Sequence, residues 1–175
     1  MQNPRFFQID DIVAPLSALH DFSQDYAVIG SRAVVRKMSG RGVQQAVWTK
    51  LRTTLNGGGW LPAGLEGLDV LVPHMLLCAA PRALQSTAPA VLLPANRRSD
   101  APEYAPQGLA LFADGRHVDT PGVLTGDTLT LTPVAGAVRY QVRYWPALTV
   151  FITILSNRAD MRGNVESWQI VAEEI

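Results

Sequence analysis

The feature that most constrains this chain is a pair of extended runs, Ala27–Met38 and Val43–Leu55, on either side of Ser39-Gly40-Arg41-Gly42. Two long runs around a glycine-rich turn read as a β-hairpin. In the second run Val43, Gln45, Val47, Thr49, Leu51, Thr53 and Leu55 share one strand face. Gln44, Ala46, Trp48, Lys50, Arg52 and Thr54 share the other. At about 3.3 Å per residue such strands reach roughly 40 Å, whereas an ordinary strand has about 5–6 residues. A hairpin of this length, spanning 26–56, is predicted to project beyond its own core and to pack on something else.

Asn56-Gly57-Gly58-Gly59 is predicted to end the hairpin, and Trp60–Leu65 to form an ordered apolar loop. With 14 Gly and 12 Pro spread along 175 residues, few windows admit a helix. Pro15–Gln24 is the exception. Pro15 suits a first turn, and Leu16, Leu19 and Phe22 have helical spacing, so one short helix is expected there. Leu76–Ala80 reads as a short buried strand stopped by Pro81.

From Ala83 to Pro146 the texture changes to short strands between prolines and turns: Ala90–Leu93, Gly108–Phe112, Thr128–Thr132 and Val138–Tyr144. Long strands return at Leu148–Leu155 and Val165–Ile175. The latter alternates Val165, Ser167, Gln169, Val171 and Glu173 against Glu166, Trp168, Ile170, Ala172 and Glu174. Both are expected to pair with the hairpin and close one sheet system. The fold class is therefore mainly β: a β-sandwich or split barrel with a long β-hairpin, one short helix and an inserted small β region. Residues 1–82 with 147–175 form the first domain, and 83–146 the insertion.

Little in the chain points to chemistry. His20, His74 and His117 are far apart, with no partner at metal-ligand spacing, and His117-Val118-Asp119 reads as a surface pair. There is no nucleophile elbow, P-loop or dinucleotide fingerprint. Gly57-Gly58-Gly59 lacks the Lys-Ser/Thr of a phosphate cradle. The neighbouring acids Asp10-Asp11 and Glu173-Glu174 point to opposite strand faces, which is wrong for acid–base work. The single cysteine, Cys78, lies in an apolar stretch and reads as a small buried hydrophobe. The start, MQNPRFFQIDDIVAPL, lacks a basic leader region, and no apolar run approaches the ~20 residues of a membrane helix. A soluble protein made in the cytoplasm is expected, with no catalytic residues, no cofactor and no metal.

Charge is more informative. The net charge is zero, so nothing draws the whole chain to nucleic acid or an anionic membrane. The basic residues are 13 Arg and 2 Lys. Arg suits protein interfaces through its planar fork, although a GC-rich genome would give the same bias. Between Asp25 and Glu66 there is no acid but there are Arg32, Arg36, Lys37, Arg41, Lys50 and Arg52. Acids gather at Asp10, Asp11, Asp21, Asp25, Glu166, Glu173 and Glu174. A basic hairpin with acidic termini suits head-to-tail association. A solvated basic face, or contact with passing DNA through Trp48, are the competing readings. The candidate interface residues are Arg32, Arg36, Lys37, Arg41, Trp48, Lys50, Arg52, Glu173 and Glu174.

Several strings resemble small tail proteins of long-tailed bacteriophages. They are Lys37–Gly42, Trp48–Leu55, Gly59–Leu65, Cys78–Arg82, Tyr140–Tyr144 and Ser167–Glu174. The resemblance is to the siphophage tail tube and distal tail protein family. It implies a β-sandwich with a flanking helix and a long hairpin, six of which stand side by side as a β-barrel around a channel. It further implies a structural virion protein at the tube or tube–tip junction, assembled in the host cytoplasm. Its partners would be further copies of itself and neighbouring tail proteins (tube, tape measure, tip or hub), with DNA passing through the lumen unread and no membrane contact. Closure would remove the exposed strand edges. The other implied role is a β-rich adaptor of the tail tip that contacts a receptor, a glycan or other tail proteins.

Overall fold

The computed structural model describes residues 7–160 and 165–175. Met1–Phe6 of the N-terminal reading, and the side chain of Val165, lie outside the described residues. The strands in order are β1 (Gln8–Ile9), β2 (Ile12–Val13), β3 (Ser23–Arg36), β4 (Gly42–Gly59), β5 (His74–Leu77), β6 (Arg82–Ser86) and β7 (Ala90–Leu92). Then come β8 (Gln107–Leu111), β9 (His117–Thr120), β10 (Gly122–Thr125), β11 (Thr128–Leu131), β12 (Arg139–Tyr144), β13 (Ala147–Asp160) and β14 (Val165–Glu174). The fold is mainly β with antiparallel sheets and a long hairpin, and the described residues form no closed barrel.

The chain divides into two compact units. One holds the residues up to Gln8 and Leu76–Leu148; the other holds Ile9–Met75 and Thr149–Ile175. The first unit takes in Leu76–Arg82, which the sequence reading assigned to the hairpin-bearing domain.

In the first unit, sheet β6-β12-β8-β9 and sheet β10-β11-β7 share one core. Val91, Leu129 and Leu131 from one sheet pack with Ala110, Tyr140, Val142 and Tyr144 from the other. Alternation along β12 causes this, since Tyr140, Val142 and Tyr144 recur at period two and are all buried. Arg98 is buried there too. Its guanidinium grips Asp100 twice (2.9 and 2.7 Å), donates to the Cys78 carbonyl at 2.9 Å and lies over the Tyr104 ring. Cys78 itself is buried and is in no disulfide. Strands β6, β9 and β10 were not expected from the sequence; β9 and β10 are short edge strands with mostly exposed residues.

The second unit is built on the long strands β13 (from Thr149), β14, β4 and β3, which lie side by side in that order. Its inner face carries Leu55, Trp168, Ile170 and Ala172, all buried. Burying one such aliphatic side chain contributes about 1.5–3 kcal/mol. Thr53 is fully buried beside them and is satisfied: its hydroxyl donates to the Asp25 carbonyl at 3.0 Å and accepts from Gln24 at 3.1 Å.

Two local expectations fail here, each for a tertiary reason. Pro15–Gln24 is not a helix but one 3-10 turn, Leu16–Ala18, followed by strand from Ser23. Its backbone groups are claimed from outside: His20 N–H donates to the Gly58 carbonyl (2.9 Å), and the Ser17 and Ala18 carbonyls accept from Trp60 N–H (3.0 Å) and Trp168 Nε1 (2.8 Å). Asn56–Gly59 does not end the hairpin either; it continues β4 and pairs with Glu166–Gln169 of β14. The glycines are needed because the Trp168 indole lies on Gly57, where an added Cβ would stand 2.3 Å from the ring.

Candidate assembly interface

The hairpin turn is built from Lys37 to Arg41. Gly40 N–H donates to the Lys37 carbonyl at 2.8 Å, Lys37 N–H donates to the Arg41 carbonyl at 3.0 Å, and Gly40 takes φ 80°. This three-residue loop requires a left-handed residue at its end, which glycine supplies without strain.

Pairing of β14 with β4 stops at Arg52, and β3 is the last strand of its sheet. Beyond that point Val28–Arg36 and Gly42–Leu51, nine residues against ten, pair only with one another in the sheet. This two-stranded arm extends roughly 33 Å. Along its length nearly every residue is exposed, among them Val34, Met38 and Trp48, with Val47 82% accessible. Toward the tip both faces and the outer edge are open; at the root Glu174 and Ile175 contact Leu51 and Lys50.

A bulge changes which residues share a face. Ser31 faces Trp48 but Arg32 faces Ala46, so Val47 is an extra residue. The even alternation expected for Val43–Leu55 therefore breaks at Val47. Val43 and Gln45 join Trp48, Lys50 and Arg52, while Gln44 and Ala46 join Thr49 and Leu51.

The candidate interface residues fall into two groups. Arg32, Arg36, Lys37 and Arg41 stand on the arm; Arg32 donates to the Val28 carbonyl (3.2 Å) and Arg36 to the Gly40 carbonyl (3.2 Å). No carboxylate among the described residues pairs with these four. Trp48 is half exposed on the same arm. Lys50, Arg52, Glu173 and Glu174 instead meet inside one chain. Arg52 pairs with Glu173 at 2.6 Å, Glu174 accepts from Leu51 N–H at 2.9 Å, and Lys50 Nζ donates to the Ile175 carbonyl. The C-terminal acids therefore bond within their own sheet, beside the arm's root.

Sequence reasoning gave no role to His74. It is buried, with Nδ1 2.6 Å from Asp10 Oδ2 and Nε2 2.8 Å from the Asp69 carbonyl. Both neighbours are acceptors, so both ring nitrogens donate and the imidazole is charged. The bond to Asp10 raises the His74 pKa, and the same bond holds Asp10 below its ordinary value. With both nitrogens engaged, the ring cannot take a proton from a nucleophile; the pair ties Asp10 to the start of β5. At the base end of the second unit an apolar cavity of about 240 Å³ is lined by Pro62–Gly67, Leu155–Asn157 and Trp168.

Neither a family model, nor a curated protein, nor a solved structure matches the chain.

Proposed function

We propose that the protein is a structural subunit of a bacteriophage tail, forming a ring around the DNA channel at the tube or the tube–tip junction. The observation that carries this reading is the arm of β3 and β4, about 33 Å of two-stranded sheet with both faces and one edge uncovered toward the tip. Two-stranded hairpins are marginal alone, and open edges template pairing with another chain. Copies set side by side pair those edges, and closure into a barrel leaves none free.

The register supports one face as the channel lining. The sheet face opposite Leu55 and Ile170 carries Lys50, Arg52 and Arg158 together with Asp25, Asp160 and Glu173. Three cations and three carboxylates cancel, and Ser23, Thr54, Asn56, Ser156 and Gln169 lie between them. The same face also carries Ile29, Trp48, Phe151, Ile154 and Val171, and its balanced charge gives DNA no counterion-release grip and lets it pass. No catalytic or cofactor role is part of this reading.

Negative-stain microscopy of the purified protein and of virions tests it. Rings or tube density containing the protein are expected; a strictly monomeric protein absent from virions overturns the proposal. The first unit has its own sandwich core, which favours a second role for it as a decoration contacting a receptor, a glycan or another tail component. Deleting it should then abolish adsorption and leave tube assembly intact; the reverse result rejects that role.

A further inference from the structure

The second unit is electrically polarised along the long axis of β3 and β4. On the arm, Ala27–Arg52 holds six cations and no acid. At the base, Ile9–Tyr26 and Thr53–Met75 hold Asp10, Asp11, Asp21, Asp25, Glu66 and Asp69 and no Lys or Arg, and the far end of the β13–β14 pair adds Arg158, Asp160 and Glu166. Asp10 is neutralised by His74, and Arg52 and Lys50 are engaged at the C-terminus. What remains is a cationic tip, with Lys37 and Arg41 exposed, and an acidic base, with Asp21 and Glu66 exposed. Eighteen residues of β4 separate the two ends, about 60 Å at strand rise.

Shape follows charge. Met38, at the apex of the turn, is fully exposed (109%). The base end offers the apolar cavity of about 240 Å³ with Glu66 among its lining residues, next to exposed Trp60 and Leu61. A methionine is flexible, polarizable and suited to filling an irregular apolar gap.

We propose that the tip of one copy seats in the base cavity of a second copy stacked along this axis, with Met38 entering the cavity and Lys37 and Arg41 facing Glu66 of its lining and the Asp21 and Glu166 carboxylates of the adjoining cleft, where they outnumber Arg158. Knob and cavity lie at opposite ends of the same unit, so the contact is head-to-tail and does not close on itself. It generates a stack. The inference rests on the tail-ring reading and adds how one ring meets the next.

Complementary charge reversal tests it. One variant carries Lys37→Glu and Arg41→Glu; the other carries Asp21→Lys and Glu66→Lys. None of these side chains makes a hydrogen bond that the fold depends on, and circular dichroism confirms that each variant is folded. Sedimentation velocity and negative-stain microscopy then follow the purified proteins at matched concentration. Wild type is expected to form stacks. Each variant alone should stop at single rings, requiring at least tenfold more protein to stack, and an equimolar mixture should restore stacking. Met38→Asp should block it without rescue by either variant. Either charge variant stacking as wild type does, or blocked variants that fail to rescue each other, overturns the tip–cavity contact while intact rings leave the ring reading standing. Wild type that forms no rings overturns both.

Discussion

Replacing Gly57 with alanine is a decisive perturbation of the second unit. The new Cβ would stand 2.3 Å from Trp168 Cζ2, 2.6 Å from Cε2 and 2.9 Å from Nε1. The ring has little freedom to yield. It is 4% accessible, and its Nε1 donates to the Ala18 carbonyl at 2.8 Å. Forcing a methyl group into such a site costs about 1–3 kcal/mol. Displacing the indole weakens a buried hydrogen bond worth about 1 kcal/mol. Against this, alanine restricts the unfolded chain and returns about 0.4–1 kcal/mol. The net expectation is a loss of about 2 kcal/mol, read from urea denaturation followed by far-ultraviolet circular dichroism. The cause is isolated by a double-mutant cycle with Trp168→Leu. In that background there is room for the methyl group, and the Gly57→Ala penalty should fall below about 0.5 kcal/mol. An unchanged stability on Gly57→Ala, or an equal penalty in both backgrounds, refutes the claim that glycine is there to admit the indole.

The His74–Asp10 pair predicts a pH dependence. His74 has a raised pKa, so its stabilisation is complete below its ordinary value of 6.5 and is lost as pH rises through the raised one. Asp10 has a lowered pKa, so its share is present above 3.8 and is lost as pH falls through the lowered value. The stability gap between wild type and His74→Gln should therefore be widest near pH 5–6 and narrow at alkaline pH, by denaturation at each pH; a flat gap would contradict the charged imidazole. In the first unit, Arg98→Ala leaves Asp100 without its buried partner and should destabilise by about 3–5 kcal/mol, whereas Arg116→Ala on the surface should stay within about 0.5 kcal/mol in the same assay. Amide hydrogen exchange should be fast for Val28–Arg36 and Gly42–Lys50 in dilute protein and slow in assemblies, because only two strands hold that arm together. Deleting Val47 removes the bulge and its local twist while Val43, Gln45 and Trp48 keep the face they share; unfolding midpoints should barely move while assembly in sedimentation experiments is weakened.

Much of this architecture is legible in the sequence. The paired runs around Gly40 specify a hairpin, because a left-handed glycine and period-two patterning admit little else, and the alternation of Glu166–Glu174 specifies which side of β14 is buried. The segregation of six cations into Ala27–Arg52 is likewise a property of the chain itself. Where the hairpin starts and ends was not legible. Gly57–Gly59 has the composition of a loop and becomes strand because Trp168, more than a hundred residues away, lies on it. Pro15–Gln24 has helical spacing and becomes an extended entry because β4 and Trp168 take up its carbonyls. The bulge at Val47 leaves no compositional trace, yet it decides which residues share a face. The partners of Lys50 and Arg52, the Ile175 carbonyl and the Glu173 carboxylate, were identifiable only once β14 was seen beside β4. Local pattern determines what a segment can be; partners distant in sequence decide where it stops and what its charges meet, since backbone hydrogen bonds and side-chain volume must be satisfied wherever the chain brings them together.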